Sequence, residues 1–149
     1  MIKRSYTTSL MVTCVLICSL IITTACTFSK VNEPSLFERL GGRNTLQIVV
    51  GETIDEVSKD PKIKRSFEGI NLKTLKKNIV DHLCMITHGP CNYEGETMKN
   101  AHSQSDITEA EFELFVTSFR SALNRHVDTR EKNELLRILA PMKYDIVTK

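Results

Sequence analysis

Met98 and His102 lie four residues apart in a stretch bracketed by Gly89-Pro90 on one side and Thr108-x-x-Glu111 on the other. The first pair stops a helix and the second starts one, so a short helical segment is slung between two long helices. At a spacing of four, both side chains share one helical face. A polarizable thioether and an imidazole then point at a common body, and a flat cofactor is one such body. The ordinary alternative is a histidine at a helix end beside a core methionine.

The sequence offers a second pair of reactive groups. Of five cysteines, Cys14, Cys18 and Cys26 belong to an N-terminal segment, which leaves Cys84 and Cys91 in the remainder. In an oxidising compartment these two would close a small loop across the Gly89-Pro90 turn, adding about 2 to 3 kcal/mol by the loop-entropy argument. Two free thiols at a helix end are the alternative. A zinc site recruiting His82 or His88 is a third, although the spacing matches no common zinc pattern. Lys73, Lys76 and Lys77 are the nearest approach to a basic stripe. Three lysines on one helix make a solvated face, and no nucleic-acid partner is expected.

The elements that must position these residues all read as helices. Ser35-x-x-Glu38 is a capping box for a short helix, Leu36 to Leu40, which Gly41-Gly42 stops. Leu46, Val50, Ile54 and Val57 give the next helix an apolar face, up to Asp60-Pro61. Pro61 opens a short turn of helix leading to Phe67 and Gly69. Asn71 caps a third helix with Leu72, Leu75, Ile79, Leu83 and Ile86 as its stripe and His82 beside it. A fourth begins at Thr108 and carries Phe112, Phe115, Val116, Phe119 and Leu123. A fifth starts near Asp128 or Thr129, presents Leu135, Leu139, Met142 and Ile146, and should kink at Pro141. No segment alternates as a half-buried strand does, so the expected class is all-α.

At 149 residues the length suits one domain with a real core. Lys3 and Arg4 precede an uncharged apolar run, Leu10 to Ile22, the length of a signal-peptide core and short for a membrane span. It ends in Thr23-Thr24-Ala25-Cys26, which resembles a bacterial lipoprotein processing site, with Thr23 where an aliphatic residue is usual. The expected layout is an export signal over 1–26 with lipidation at Cys26, a tether over 27–34 and a folded domain over 35–149. Acyl chains at Cys26 would hold the domain to a membrane, outside the cytoplasm, in the bacterial cell envelope. Uncleaved anchoring and ordinary secretion are the alternatives. With Lys3 and Arg4 set aside, 18 of the 20 Lys and Arg remain against 18 Asp and Glu, a balance near zero.

Taken in order, Leu36-Phe37-Glu38-Arg39-Leu40-Gly41-Gly42, Asp60-Pro61, Phe67-x-Gly69, Gly89-Pro90-Cys91-x-Tyr93-x-Gly95-x-x-Met98-x-x-x-His102, Asp106-Ile107-Thr108 with Phe112, and Leu139-Ala140-Pro141 resemble the truncated haemoglobins of group I type. The resemblance spans about Ser35 to Val147. It implies a two-over-two helical sandwich around haem b. His102 then falls on the proximal histidine that ligates iron, with Met98 and Phe112 packing on the porphyrin, Phe67 wedging the macrocycle and Tyr93 in the haem-side motif. Many members carry a tyrosine and a glutamine that hydrogen-bond dioxygen; the aligning positions here are Ile54 and Ile79. Leu75 adds a further apolar wall. Thr53, Asn78 and His82 are the remaining polar groups, and His82 is the preferred distal donor. Asn78 stands where some relatives place an iron-binding histidine.

The function this implies is binding of oxygen, nitric oxide or carbon monoxide at ferrous haem iron, with a reductant to keep it ferrous. Two alternatives stand beside it. One is a nitric oxide dioxygenase or peroxidase-like haem enzyme, which the apolar Ile54 and Ile79 disfavour. The other is a structural lipoprotein that keeps the globin fold without haem, against which Met98 and His102 count.

Overall fold

The computed structural model describes residues 33–149; the expected export signal, Cys26 and most of the tether lie outside the described residues. Among the described residues every regular element is a helix. Helix α1 (Leu36–Arg39) opens on the expected box, in which the Ser35 hydroxyl accepts the Glu38 N–H and the Glu38 carboxylate accepts the Ser35 N–H. Gly41 and Gly42 take φ of 89° and 69°, values an L side chain resists, and turn the chain into α2 (Gly42–Val57). A 3-10 turn (Lys64–Phe67) follows the Asp60-Pro61 break. Asn71 caps α3 (Leu72–Ile86) by accepting the Thr74 N–H. The short α4 (Met98–His102) is capped by Thr97, and α5 (Glu109–His126) by the Thr108–Glu111 box. Then come α6 (Thr129–Leu139) and α7 (Lys143–Ile146).

Helix α2 packs against both α3 and α5. Its buried face, Leu46, Val49, Val50, Ile54 and Val57, meets a core completed by Val80, Leu83 and Cys84 of α3, Phe119, Ala122 and Leu123 of α5, and Leu135 of α6.

Two helix ends differ from the sequence reading. The chain does more than kink at Pro141. Helix α6 stops at Leu139, and Ala140–Met142 form a 3-10 turn before α7, because proline supplies no donor to continue the ladder. After α3 the left-handed residue is His88, with φ 64°, one position before the Gly-Pro pair. The Gly89 N–H then reaches back to the Cys84 carbonyl at 2.7 Å. Gly89 answers a different need, since a Cβ there would overlap the Cys84 sulfur and the Phe37 ring.

Candidate functional site

His102 closes α4, and its Nδ1 lies 2.7 Å from the Met98 carbonyl oxygen. A carbonyl only accepts, so this contact places a proton on Nδ1 and leaves the Nε2 lone pair of the neutral ring free. The segment that carries the ring is held from both ends. The Thr97 hydroxyl accepts the Asn100 N–H at the start, and α7 packs against α4 while the Thr148 N–H donates to the Ile107 carbonyl. Lys143 of α7 sits over the Phe112 ring, 5.3 Å from its centroid, and pairs with Glu109 and Glu113. Met98, His102 and Phe112 are all half-buried.

Helix α3 carries two stripes rather than one. Val80, Leu83, Cys84 and Thr87 are buried in the core, whereas Leu72, Leu75, Ile79, His82 and Ile86 form a half-buried row beside them. Leu83 therefore leaves the stripe expected from the sequence, and His82 takes its place on the face of Leu75 and Ile79. Both assignments satisfy the helical period, since 79 to 82 and 79 to 83 are both allowed steps. Packing against α2 decides between them.

Phe67 is also half-buried, on the 3-10 turn, and the turn is tied to the start of α5 by a contact the sequence did not disclose. The Arg65 guanidinium donates to the Glu111 carboxylate and to the Asp106 carbonyl, and the Ser66 hydroxyl reaches Glu111 Oε1 at 3.3 Å. Glu111 is 5% exposed. Burial pushes its carboxyl up, but the Thr108 N–H and hydroxyl together with Arg65 outweigh this and hold it down to about 2. A carboxylate depressed in this way contributes stability above its ordinary pKa near 4.5 and loses it as pH falls toward 2. Glu111→Gln should therefore cost about 1 to 2 kcal/mol at neutral pH and flatten the acid limb between pH 4.5 and 2, as urea midpoints at several pH values would show.

The polar groups expected near Ile54 and Ile79 separate by their commitments. Ile54 is 1% exposed, inside the core. The Thr53 hydroxyl donates to the Val49 carbonyl at 2.7 Å, and Asn78 faces solvent. His82 is half-buried, neither ring nitrogen has a hydrogen-bond partner among the described residues, and burial pushes its pKa down, which keeps it neutral at pH 7. Its ring meets Tyr93 edge-on with centroids 4.9 Å apart. The Tyr93 hydroxyl donates to the Glu96 carbonyl at 2.8 Å, and Gly95 leaves room for the ring, which a Cβ would overlap. Of the other two histidines, His126 Nε2 pairs with Glu52 at 2.8 Å and His88 is exposed in the turn after α3.

Cys84 and Cys91 are joined in a disulfide, which replaces the free-thiol and zinc alternatives. Among the described residues no three His, Cys, Asp or Glu side chains converge to hold a metal ion. The residues that remain are of the kinds a flat, largely apolar, metal-bearing group needs: one imidazole with a free Nε2 on α4, and half-buried apolar side chains at Phe67 on the 3-10 turn, Leu75 and Ile79 on α3, Met98 on α4 and Phe112 on α5.

A small all-helical domain with a histidine on a short helix braced by the C-terminal helix, and with a half-buried apolar row on α3, is of the globin class. The chain belongs to the bacterial-like globin family, which matches residues 35–148, and within it to the group 1 truncated haemoglobins. A group 1 truncated haemoglobin of Mycolicibacterium paratuberculosis is 30% identical over 122 residues, covering 81% of this chain and 90% of that protein. One from Tetrahymena pyriformis is 25% identical over 120 residues, covering 79% and 99%. The solved Fe(III) form of the Tetrahymena pyriformis truncated haemoglobin superposes with a TM-score of 0.72 at 24% identity, over 78% of this chain and all of that one. The 2/2 haemoglobin of a Synechococcus species gives 0.71 at 20% identity with the same coverage. The fold is thus the two-over-two helical sandwich, and membership of the family implies haem binding and a gas-ligand function.

Proposed function

We propose that the domain binds haem b through Nε2 of His102 and uses it to hold oxygen, nitric oxide or carbon monoxide on the outer side of a bacterial cytoplasmic membrane, tethered by a lipid on Cys26. The observation that carries the reading is the 2.7 Å contact between His102 Nδ1 and the Met98 carbonyl. That contact orients the ring, fixes the tautomer and raises the basicity of the nitrogen left free. Phe67, Leu75, Ile79, Met98 and Phe112 supply apolar contact, contributing roughly 25 cal/mol per Å² removed from water. Both cysteines of the domain are spent in the disulfide, which leaves no thiol among the described residues for covalent haem attachment.

When bound, haem iron supplies the open coordination position at which a diatomic gas is held. The chain's own part is to present the axial base, to keep water out with Ile54, Leu75 and Ile79, and to offer a hydrogen bond from His82. Two apolar side chains stand where relatives place donors. This favours a gas carrier or sensor over a nitric oxide dioxygenase, whose chemistry needs a strongly held oxygen. Spectra of the haem-supplemented protein test the reading. One haem per chain, a Soret band and a further shift of that band with carbon monoxide on the ferrous form are expected. A preparation that takes up no haem would instead favour a structural lipoprotein with a globin fold.

A further inference from the structure

The disulfide joins the last turn of α3 to the segment leading into α4, with Cα atoms 5.9 Å apart, and its two sulfurs live in different surroundings. Cys84 is 0% exposed among core residues. Cys91 is half-buried, and Arg43 Nη2 donates to its sulfur at 3.2 Å. The same guanidinium nitrogen is 2.6 Å from Asp81, which Lys77 also holds at 2.8 Å, so Arg43 is fixed where it stands. We propose that Cys91 is a thiol–disulfide exchange site for a dithiol, and that the bond it breaks is the latch of the haem pocket.

An incoming thiolate can reach Cys91 and not Cys84. Its attack forms a mixed disulfide at Cys91 and breaks the Cys84–Cys91 bond; Cys84 leaves as a thiolate and takes a proton. The apolar surroundings make Cys84 a poor leaving group, so this step is slow. The dithiol's second thiolate then attacks the dithiol's own sulfur in the mixed disulfide, closes its ring and releases Cys91 as a thiolate beside Arg43. The protein gains two electrons and the dithiol loses two. Of the dithiol's two protons, one ends on Cys84 and the other goes to Cys91 or to solvent, according to pH. A monothiol can complete the second step only by a second collision, and before one comes Cys84, still beside Cys91, attacks the mixed disulfide and expels the monothiol.

From Cys91 the latch reaches the pocket through Tyr93. That ring packs on His82, and its hydroxyl holds Glu96, immediately before the Thr97 cap of the helix that carries His102. Reduction frees the 91–96 segment and so loosens both His82 and α4. This half of the inference rests on the function proposed above.

The test treats haem-loaded protein with dithiothreitol or, at equal thiol concentration, with glutathione. Alkylation and intact mass then count thiols, and transfer of haem to an excess of an apoglobin measures haem loss. Dithiothreitol should add two alkyl groups and speed haem loss by about fivefold or more, while glutathione does both more slowly, by about tenfold or more; Arg43→Gln should raise the dithiothreitol concentration needed for half reduction roughly threefold or more. Single-thiol variants read the site directly. Cys91 in Cys84→Ser should react with an aromatic disulfide about tenfold or more faster than Cys84 in Cys91→Ser. Equal rates in those two variants overturn the exchange site, and equal haem loss from oxidised and reduced protein overturns the latch. A chain that takes up no haem defeats the proposed function instead, and the single-thiol rates still decide the exchange site.

Discussion

Replacing His102 with alanine should abolish stoichiometric haem uptake, or leave a pocket that takes up haem only when imidazole is added. The size of the effect follows from what the ring does. Losing an outer-shell partner of a metal ligand costs about 10- to 100-fold in affinity, and losing the ligand itself should exceed that. No other histidine stands ready to replace it: His126 is paired with Glu52, His88 is exposed beyond the end of α3, and His82 belongs to the half-buried row of α3 rather than to α4. The haem-free fold should survive the change. The hydrogen bond His102 makes is local, to Met98 four residues back, and both residues are half-buried, so water can satisfy the released carbonyl. Circular dichroism of the variant should therefore match that of the parent, which separates a lost ligand from a lost fold. A Soret band and carbon monoxide binding unchanged from the parent would remove His102 from the assignment.

Oxygen should leave the ferrous protein faster than it leaves relatives with the usual tyrosine and glutamine, while carbon monoxide release is much less altered. Dioxygen draws partial negative charge onto itself when it binds and carbon monoxide draws little, so missing donors penalise oxygen selectively. A charge-assisted hydrogen bond of about 1.4 kcal/mol or above corresponds to about tenfold in rate or more. Ile54→Tyr should accordingly slow oxygen release about tenfold or more. The same substitution places a larger side chain at a closed core position, so the apo domain should lose about 1 to 3 kcal/mol in the same variant. His82→Phe in the natural background should speed oxygen release, because Thr53 has already given its proton to Val49 and Asn78 faces solvent. Stopped-flow dissociation rates separate the outcomes. If His82→Phe changes nothing, His82 is not the donor; if the parent already holds oxygen as firmly as its tyrosine-bearing relatives, the pocket is not apolar.

Most helix starts were legible because caps are local. Ser35 with Glu38, Asn71 with Thr74, and Thr108 with Glu111 each act within three residues, so side-chain chemistry and spacing suffice to place them. The short helix with Met98 and His102 was legible from the Gly89-Pro90 stop and the Thr108 start on either side of it, and the all-helical class from the absence of strand-like alternation. The group I resemblance, which placed His102 and the apolar distal positions, rests on motifs read in order along the chain.

What the sequence left open depended on how the helices turn toward one another. The period of α3 allows either Leu83 or His82 beside Ile79, and packing on α2 sends Leu83 to the core and leaves His82 on the half-buried face. The cysteine pair stayed one of three alternatives until the turn at His88 brought the two sulfurs together. Arg43 on Cys91 and Arg65 on Glu111 span 48 and 46 residues, and no local periodicity signals partners that distant. Caps and periods live within one or two turns of a helix, so a sequence states them outright. The azimuth of one helix against another is a property of the whole core, and it decided which side chains face the candidate haem site.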